Sequence, residues 1–216
     1  MPLTESINEL KAQLGDISSC AARMMRAYNG IYMFDMFCNA QLNRTINLVD
    51  GFYNLALADN YICAFPLVRL NVDTLQRLYA FQLIEGNIDV IATEIFNGKP
   101  ISSFKAKPSE GGKRLTDSLL SEKISRLPGL EWVRDVYLAG NGFIHFSDKH
   151  IISSMAVETD SRTLTMAVRV GSSFINDDEK EGACIYMTRI TKAIIDIIDS
   201  WTAHKSTYTK QHSTGL

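Results

Sequence analysis

Arg134 and His145 stand eleven residues apart in Glu131–His150, a stretch that reads as one helix closed by the polar cap Ser147-Asp148. At about 100° per residue the two differ by only about 20°, so they share a face, but the helical rise sets them about 16 Å apart. That is too far for them to act together within one helix. Asn141 lies one turn before His145, within hydrogen-bonding reach of it. Gly140 and Gly142 flank Asn141. Each costs roughly 1 kcal/mol against Ala in a helix interior. Both leave backbone bare, which admits a second helix or a ligand at close range. His145 is suited to moving a proton, a task worth about 10²–10⁴-fold in rate. It is equally suited to capping a helix or satisfying a core polar group. His145, Asp148 and His150 are potential metal ligands, but a zinc site needs a further protein ligand at defined spacing, and none is apparent. No metal and no cofactor is expected.

The candidate cations lie elsewhere. Arg69, Asp73 and Arg77 recur at i, i+4 and i+8 on the polar face of a predicted helix over 61–85. Asp73 can pair with both arginines, a ladder worth only a few tenths of a kcal/mol per pair on a solvated face. Against another helix it would instead position two guanidinium groups. Residues 98–114 form the most basic segment, with Lys99, Lys105, Lys107, Lys113 and Arg114 against Glu110 alone. This is either a solvated loop or a phosphate-contacting one, with Lys113 and Arg114 as the phosphate-binding candidates. Gly111-Gly-Lys-Arg114 is no P-loop, since the upstream glycine is missing and Arg114 stands for Ser/Thr. Signatures of serine hydrolases, zinc proteases and dinucleotide-binding folds are absent.

The elements that must position these groups are mostly helices. Ile7, Leu10, Leu14, Ile17, Ala21, Met24, Tyr28 and Ile31 alternate at spacings of three and four, a seam over 4–29 that Thr4 can cap. Further helices are predicted over 34–58, 61–85, 88–97 and 116–125. The last runs from 176 to about 205, with a second seam from Ala183 to Trp201. Each seam can pack within the chain or bind a partner. After His150 the period changes to two. A tip at Asp160-Ser161 pairs Val157 with Leu164 and Met155 with Met166, placing all four on one face of a hairpin. An isolated hairpin is marginal, so this one is expected to lean on the helices. The architecture is therefore mainly α: a bundle of six to seven helices with one β-hairpin before the C-terminal helix. It forms a single domain over 1–205, followed by a flexible tail over 206–216.

Length and composition agree. The chain has 216 residues, 46% of them apolar, enough for one domain with a real core. Twenty-two basic and 24 acidic residues leave a net charge of −2, so nucleic acid would need a local basic patch. The four cysteines, Cys20, Cys38, Cys63 and Cys184, form no CxxC pair and fall in apolar helical patterns, as buried free thiols do. No signal peptide and no membrane-length apolar run is visible, so a soluble, cytoplasmic protein is expected.

The run Gly140-Asn141-Gly-Phe-Ile-His145 resembles a degenerate form of the Arg-Asn/His-x-x-x-His motif of the HEPN superfamily, small helical and usually dimeric proteins of bacterial defence and toxin–antitoxin systems. Residues 40–150 more broadly resemble an uncharacterised bacterial family of that type. The matching pieces are Asn43-Arg-Thr-Ile-Asn-Leu-Val-Asp-Gly-Phe52, Leu67-Val-Arg-Leu-Asn-Val-Asp-Thr-Leu-Gln-Arg77 and Gly142-Phe-Ile-His-Phe-Ser147. The resemblance implies a metal-independent ribonuclease at a site between two subunits. There histidine acts on the 2′-hydroxyl and arginine stabilises the phosphorane. His145 and Asn141 take two motif positions; Gly140 stands where the arginine belongs. Either the activity is lost, or Arg69, Arg77 or Arg134 supplies the cation. The partners implied are a second copy, RNA and an antitoxin-like protein. The alternative is a catalytically inactive helical module for dimerisation or partner binding.

Overall fold

The computed structural model describes residues 2–28, 30–158, 163–171 and 174–212. It holds eight α-helices and one hairpin in the order α1 (Leu3–Arg26), α2 (Met33–Leu57), α3 (Tyr61–Leu83), α4 (Ile88–Phe96), α5 (Asp117–Ile124), α6 (Val133–Ile144), α7 (Asp148–Ile152), β1 (Met155–Glu158), β2 (Thr163–Met166) and α8 (Asp177–His212). Two short 3₁₀ turns, Ile101–Ser103 and Pro108–Glu110, shape the basic loop.

The centre of the bundle is α3, which packs against α2, α5, α6 and α8. Asn60 caps it, its side chain accepting from the Cys63 amide at 3.4 Å. Pro66 lies early in the helix, where the missing N–H costs least. Its buried face mixes apolar residues such as Val72, Leu75 and Leu78 with Asn71, whose amide donates to Thr191 Oγ1 at 3.3 Å and to Met187 Sδ at 3.4 Å. The predicted seams are consumed within the chain along α1 and α8, whereas Tyr28 and Ile31, at the end of the first, lie past α1 and are exposed. Leu10, Ile17 and Met24 of α1 and Met187, Ile190 and Ile194 of α8 are buried where these helices pack together. Thr4 is inside the first turn of α1 rather than at its cap, which is Pro2.

Three other expectations change. The stretch 131–150 is two helices, which raises the count to eight. The chain turns extended at His145 (φ −101°, ψ 143°). Ser147 fixes the break: its hydroxyl donates to the Gly142 carbonyl at 2.6 Å and accepts from the Lys149 amide at 3.2 Å. One side chain thus satisfies the end of α6 and the start of α7. At the other end of the chain, α8 runs past Lys205 to His212, so 206–212 are helical rather than a flexible tail. Tyr208 packs edge-on against Tyr32 and Trp201 and donates its hydroxyl to Asn87 Oδ1 at 3.0 Å. Residues 213–216 lie outside the described residues. Thirdly, the hairpin has the expected register, Met155 opposite Met166 and Val157 opposite Leu164, but it meets the helices through β1 against α7, while β2 is exposed along its whole length. The expected tip at Asp160-Ser161 falls outside the described residues.

Cys20, Cys38 and Cys184 are buried free thiols as expected, whereas Cys63 is exposed. Among the described residues no helix is long and apolar enough to cross a membrane.

Candidate functional site

Gly140 faces α3, and what fills the space its missing side chain leaves is Arg69. A Cβ built on Gly140 would lie 2.7 Å from Arg69 Cβ and 3.2 Å from its Cγ and Cδ. The arginine stem crosses α6 there and carries its guanidinium to the far side of the glycine. Arg69 Nε donates to Asn141 Oδ1 at 2.9 Å, and its Cζ lies 4.1 Å from the centroid of the Tyr137 ring. Asn141 in turn accepts the His145 amide on its own carbonyl at 3.1 Å. Arg69 and Asn141 are therefore joined side chain to side chain at the end of α6, and His145 is tied to Asn141 by its backbone alone.

The environment of Arg69 is unusual. It is 8% exposed, and no carboxylate among the described residues pairs with it. A buried charge left unpaired costs several kcal/mol. The Tyr137 face returns about 0.5–2 kcal/mol and the Asn141 bond a further increment. Asp73, expected to pair Arg69 with Arg77, instead binds Arg77 at 2.8 Å and Arg44 at 3.4 Å. Arg69 meets Asn141 across the α3–α6 contact instead.

The other predicted site residues do not join this group. Arg77 is held by Asp73 and by Asp117 at 2.5 Å, at the junction of α3 with α5. Arg134 is exposed in the first turn of α6, at the opposite end from His145. Lys113 and Arg114 are exposed on the basic loop, where Arg114 bridges to Lys105. That loop is tied to the end of α3 by the Lys107 amide, which donates to the Leu83 carbonyl at 2.8 Å. Fourteen residues of helix separate Leu83 from Arg69, about 21 Å. Lys99 is spent on Glu94 at 2.5 Å, and Lys107 on the Gln82 carbonyl at 3.2 Å.

His145 itself is exposed just past the last turn of α6, and its side chain has no partner among the described residues. It is the C-cap residue of α6, through its backbone N–H to the Asn141 carbonyl, while its imidazole makes no capping bond among the described residues. The side-chain capping role falls to His150, whose Nδ1 accepts from the Ser147 amide at 3.4 Å. Among the described residues no three His, Cys, Asp or Glu side chains gather as metal ligands, so His145, Asp148 and His150 form no such set.

Sequence reasoning missed Tyr137 and Phe146. Tyr137 is one turn before Asn141, a spacing that could have marked it as a second contact for any cation meeting Asn141. Phe146 follows the histidine and is 82% exposed. Comparison with known protein families, curated proteins and solved structures found no match.

Proposed function

We propose that this chain is a HEPN-like protein acting on RNA, with His145, Asn141 and Arg69 as its working groups and a homodimer in the cytoplasm as its working form. The observation that carries this reading is the guanidinium of Arg69 on the motif asparagine. The arginine that Gly140 cannot supply arrives from α3, with its stem buried, its Nε oriented by Asn141 and no carboxylate among the described residues neutralising it. Such a cation is ready for an anionic oxygen. In metal-independent cleavage His145 takes the proton of a 2′-hydroxyl, the 2′-oxygen attacks phosphorus to form a 2′,3′-cyclic phosphate, and the 5′-oxygen leaves with a proton from water, while Arg69 stabilises the charge gathering on the phosphorane. The first effect is worth about 10²–10⁴-fold and the second a similar order. Arg77, in its two ion pairs, contributes nothing to this chemistry, and Arg134 is a flanking phosphate contact at most. An antitoxin-like protein partner belongs to the same reading.

A second reading is a catalytically inactive interaction module. The surface around His145 favours it: Leu138, Ile144, Phe146, Ile151 and Ile152 are all exposed there.

Single-stranded RNA incubated with the protein in excess chelator separates the two. Cleavage is expected from the wild type and is lost in His145→Ala, whose melting temperature stays within about 1 °C because an exposed, unpartnered side chain is removed. Arg69→Lys keeps the charge but not the fork and is expected to lose most of the rate. A wild type that leaves RNA intact refutes the nuclease and leaves the interaction module.

A further inference from the structure

The apolar face around His145 adjoins a groove. Between α3, α6 and α8 the surface opens into a cleft of about 310 Å³, its walls formed by Phe65, Val136, Phe143 and Tyr186. That lies at the bottom of the roughly 300–1,000 Å³ of ligand pockets, enough for an aromatic side chain with a small neighbour. Asp135 and Glu179 stand at its rim, with Lys149 of α7 also lining it. None of these three charges is in an ion pair among the described residues. Phe146 lies three residues after Phe143 and three before Lys149, and is held outward by stacking on His150 at 5.6 Å between ring centroids.

We propose that a second copy of this chain covers this face, the Phe146 of each copy seated in the groove of the other. The proposal deepens the homodimer named above and says which surfaces meet. Knob, groove wall and rim cation fall within one stretch of seven residues, so a two-fold axis places each knob over the partner's groove, as a self-complementary interface requires. Charge fits the same geometry: as Phe146 enters, Lys149 is carried to the unpaired Asp135 and Glu179 of the other copy. Phe146 is 82% exposed, and Ile144, Ile151 and Ile152 are exposed on the same segment, so a contact seated on Phe146 would cover apolar side chains beside it. Two copies so joined bring both His145 side chains to the margin of one interface.

The test is molar mass by light scattering across the micromolar range. The wild type is expected to be a dimer. Phe146→Asp raises the dissociation constant at least ~30-fold, as loss of a central aromatic anchor does, with circular dichroism unchanged. Lys149→Glu weakens the dimer, and adding Glu179→Lys recovers it. A monomeric wild type overturns the proposal. So does a dimer indifferent to Phe146→Asp, which would put the interface elsewhere, or a double variant no tighter than Lys149→Glu alone. A dimer without RNA cleavage supports the interface and removes only the nuclease; an active monomer does the reverse.

Discussion

Replacing Gly140 by alanine sets two known effects against each other. In a helix interior alanine is favoured over glycine by about 1 kcal/mol. Gly15 shows that gain alone: it lies exposed in the middle of α1, and a Cβ there meets nothing within 4 Å. Gly15→Ala is therefore expected to stabilise by about 0.5–1 kcal/mol. At Gly140 the same methyl lands 2.7 Å from Arg69 Cβ, on a stem anchored directly to the α3 backbone. A Cβ cannot swing aside as the end of a flexible side chain can, so α6 must move from α3. Overpacking of this kind costs about 1–3 kcal/mol, which exceeds the propensity gain. The net expectation is destabilisation of up to about 2 kcal/mol, a fall in melting temperature of up to about 8 °C for a chain of this size. The displacement also lengthens the 2.9 Å bond from Arg69 to Asn141. Urea unfolding of the wild type and both variants measures the contrast. Equal stabilisation by Gly15→Ala and Gly140→Ala would refute the close crossing, and with it the route by which Arg69 reaches Asn141.

Two further outcomes are expected. Lys205 and Asp35 form a fully buried ion pair at 2.8 Å, and Asp35 also accepts from the Trp201 indole at 2.8 Å and the Tyr32 amide at 2.8 Å. Lys205→Met leaves that carboxylate unpaired and is expected to cost about 3–5 kcal/mol by urea unfolding; a cost under 1 kcal/mol would contradict the burial. Burial, aided by Asp199, pushes the Cys20 thiol up to about 12, and burial pushes Cys184 up to about 11 and Cys38 upward. An aromatic disulfide reagent is thus expected to label one thiol, Cys63, in the native protein and all four in denaturant. The raised values also set the sign of the alkaline response. Stability from these neutral thiols is fully present below the ordinary thiol value of 9.0 and declines as pH rises towards about 12, because only the unfolded chain releases their protons freely. Melting temperatures from pH 8 upward, compared with a variant carrying Cys20→Ala and Cys184→Ala, check this.

Much of the fold is legible in local pattern. The three-four spacing of Leu10, Leu14, Ile17 and Met24 identifies a helix and its inward face, and the two-residue alternation of Leu164 and Met166 sets a hairpin register that the structure keeps. Turn chemistry is less visible. Ser147 reads as the end of one helix and is also the start of the next, because a serine can serve either end and only its partners, the Gly142 carbonyl and the Lys149 amide, show that it serves both. Trp201 and Tyr208 read as seam and tail, yet both close over the N-terminus of α2.

What the amino-acid sequence determines by itself about the site is its bare surface: Gly140 and Gly142 around Asn141, one turn before His145. Periodicity fixes which residues share a helical face, since that is a property of each helix alone. Only tertiary structure decides which arginine meets that surface. Arg69, Arg77 and Arg134 are chemically equivalent in the sequence. Helical rise alone keeps Arg134 from its own His145, but it is the α3–α6 crossing that sends Arg69 across Gly140 onto Asn141, and the packing of α5 on α3 that gives Arg77 to Asp117. Those are contacts between residues 40 to 72 positions apart, and no local pattern encodes them.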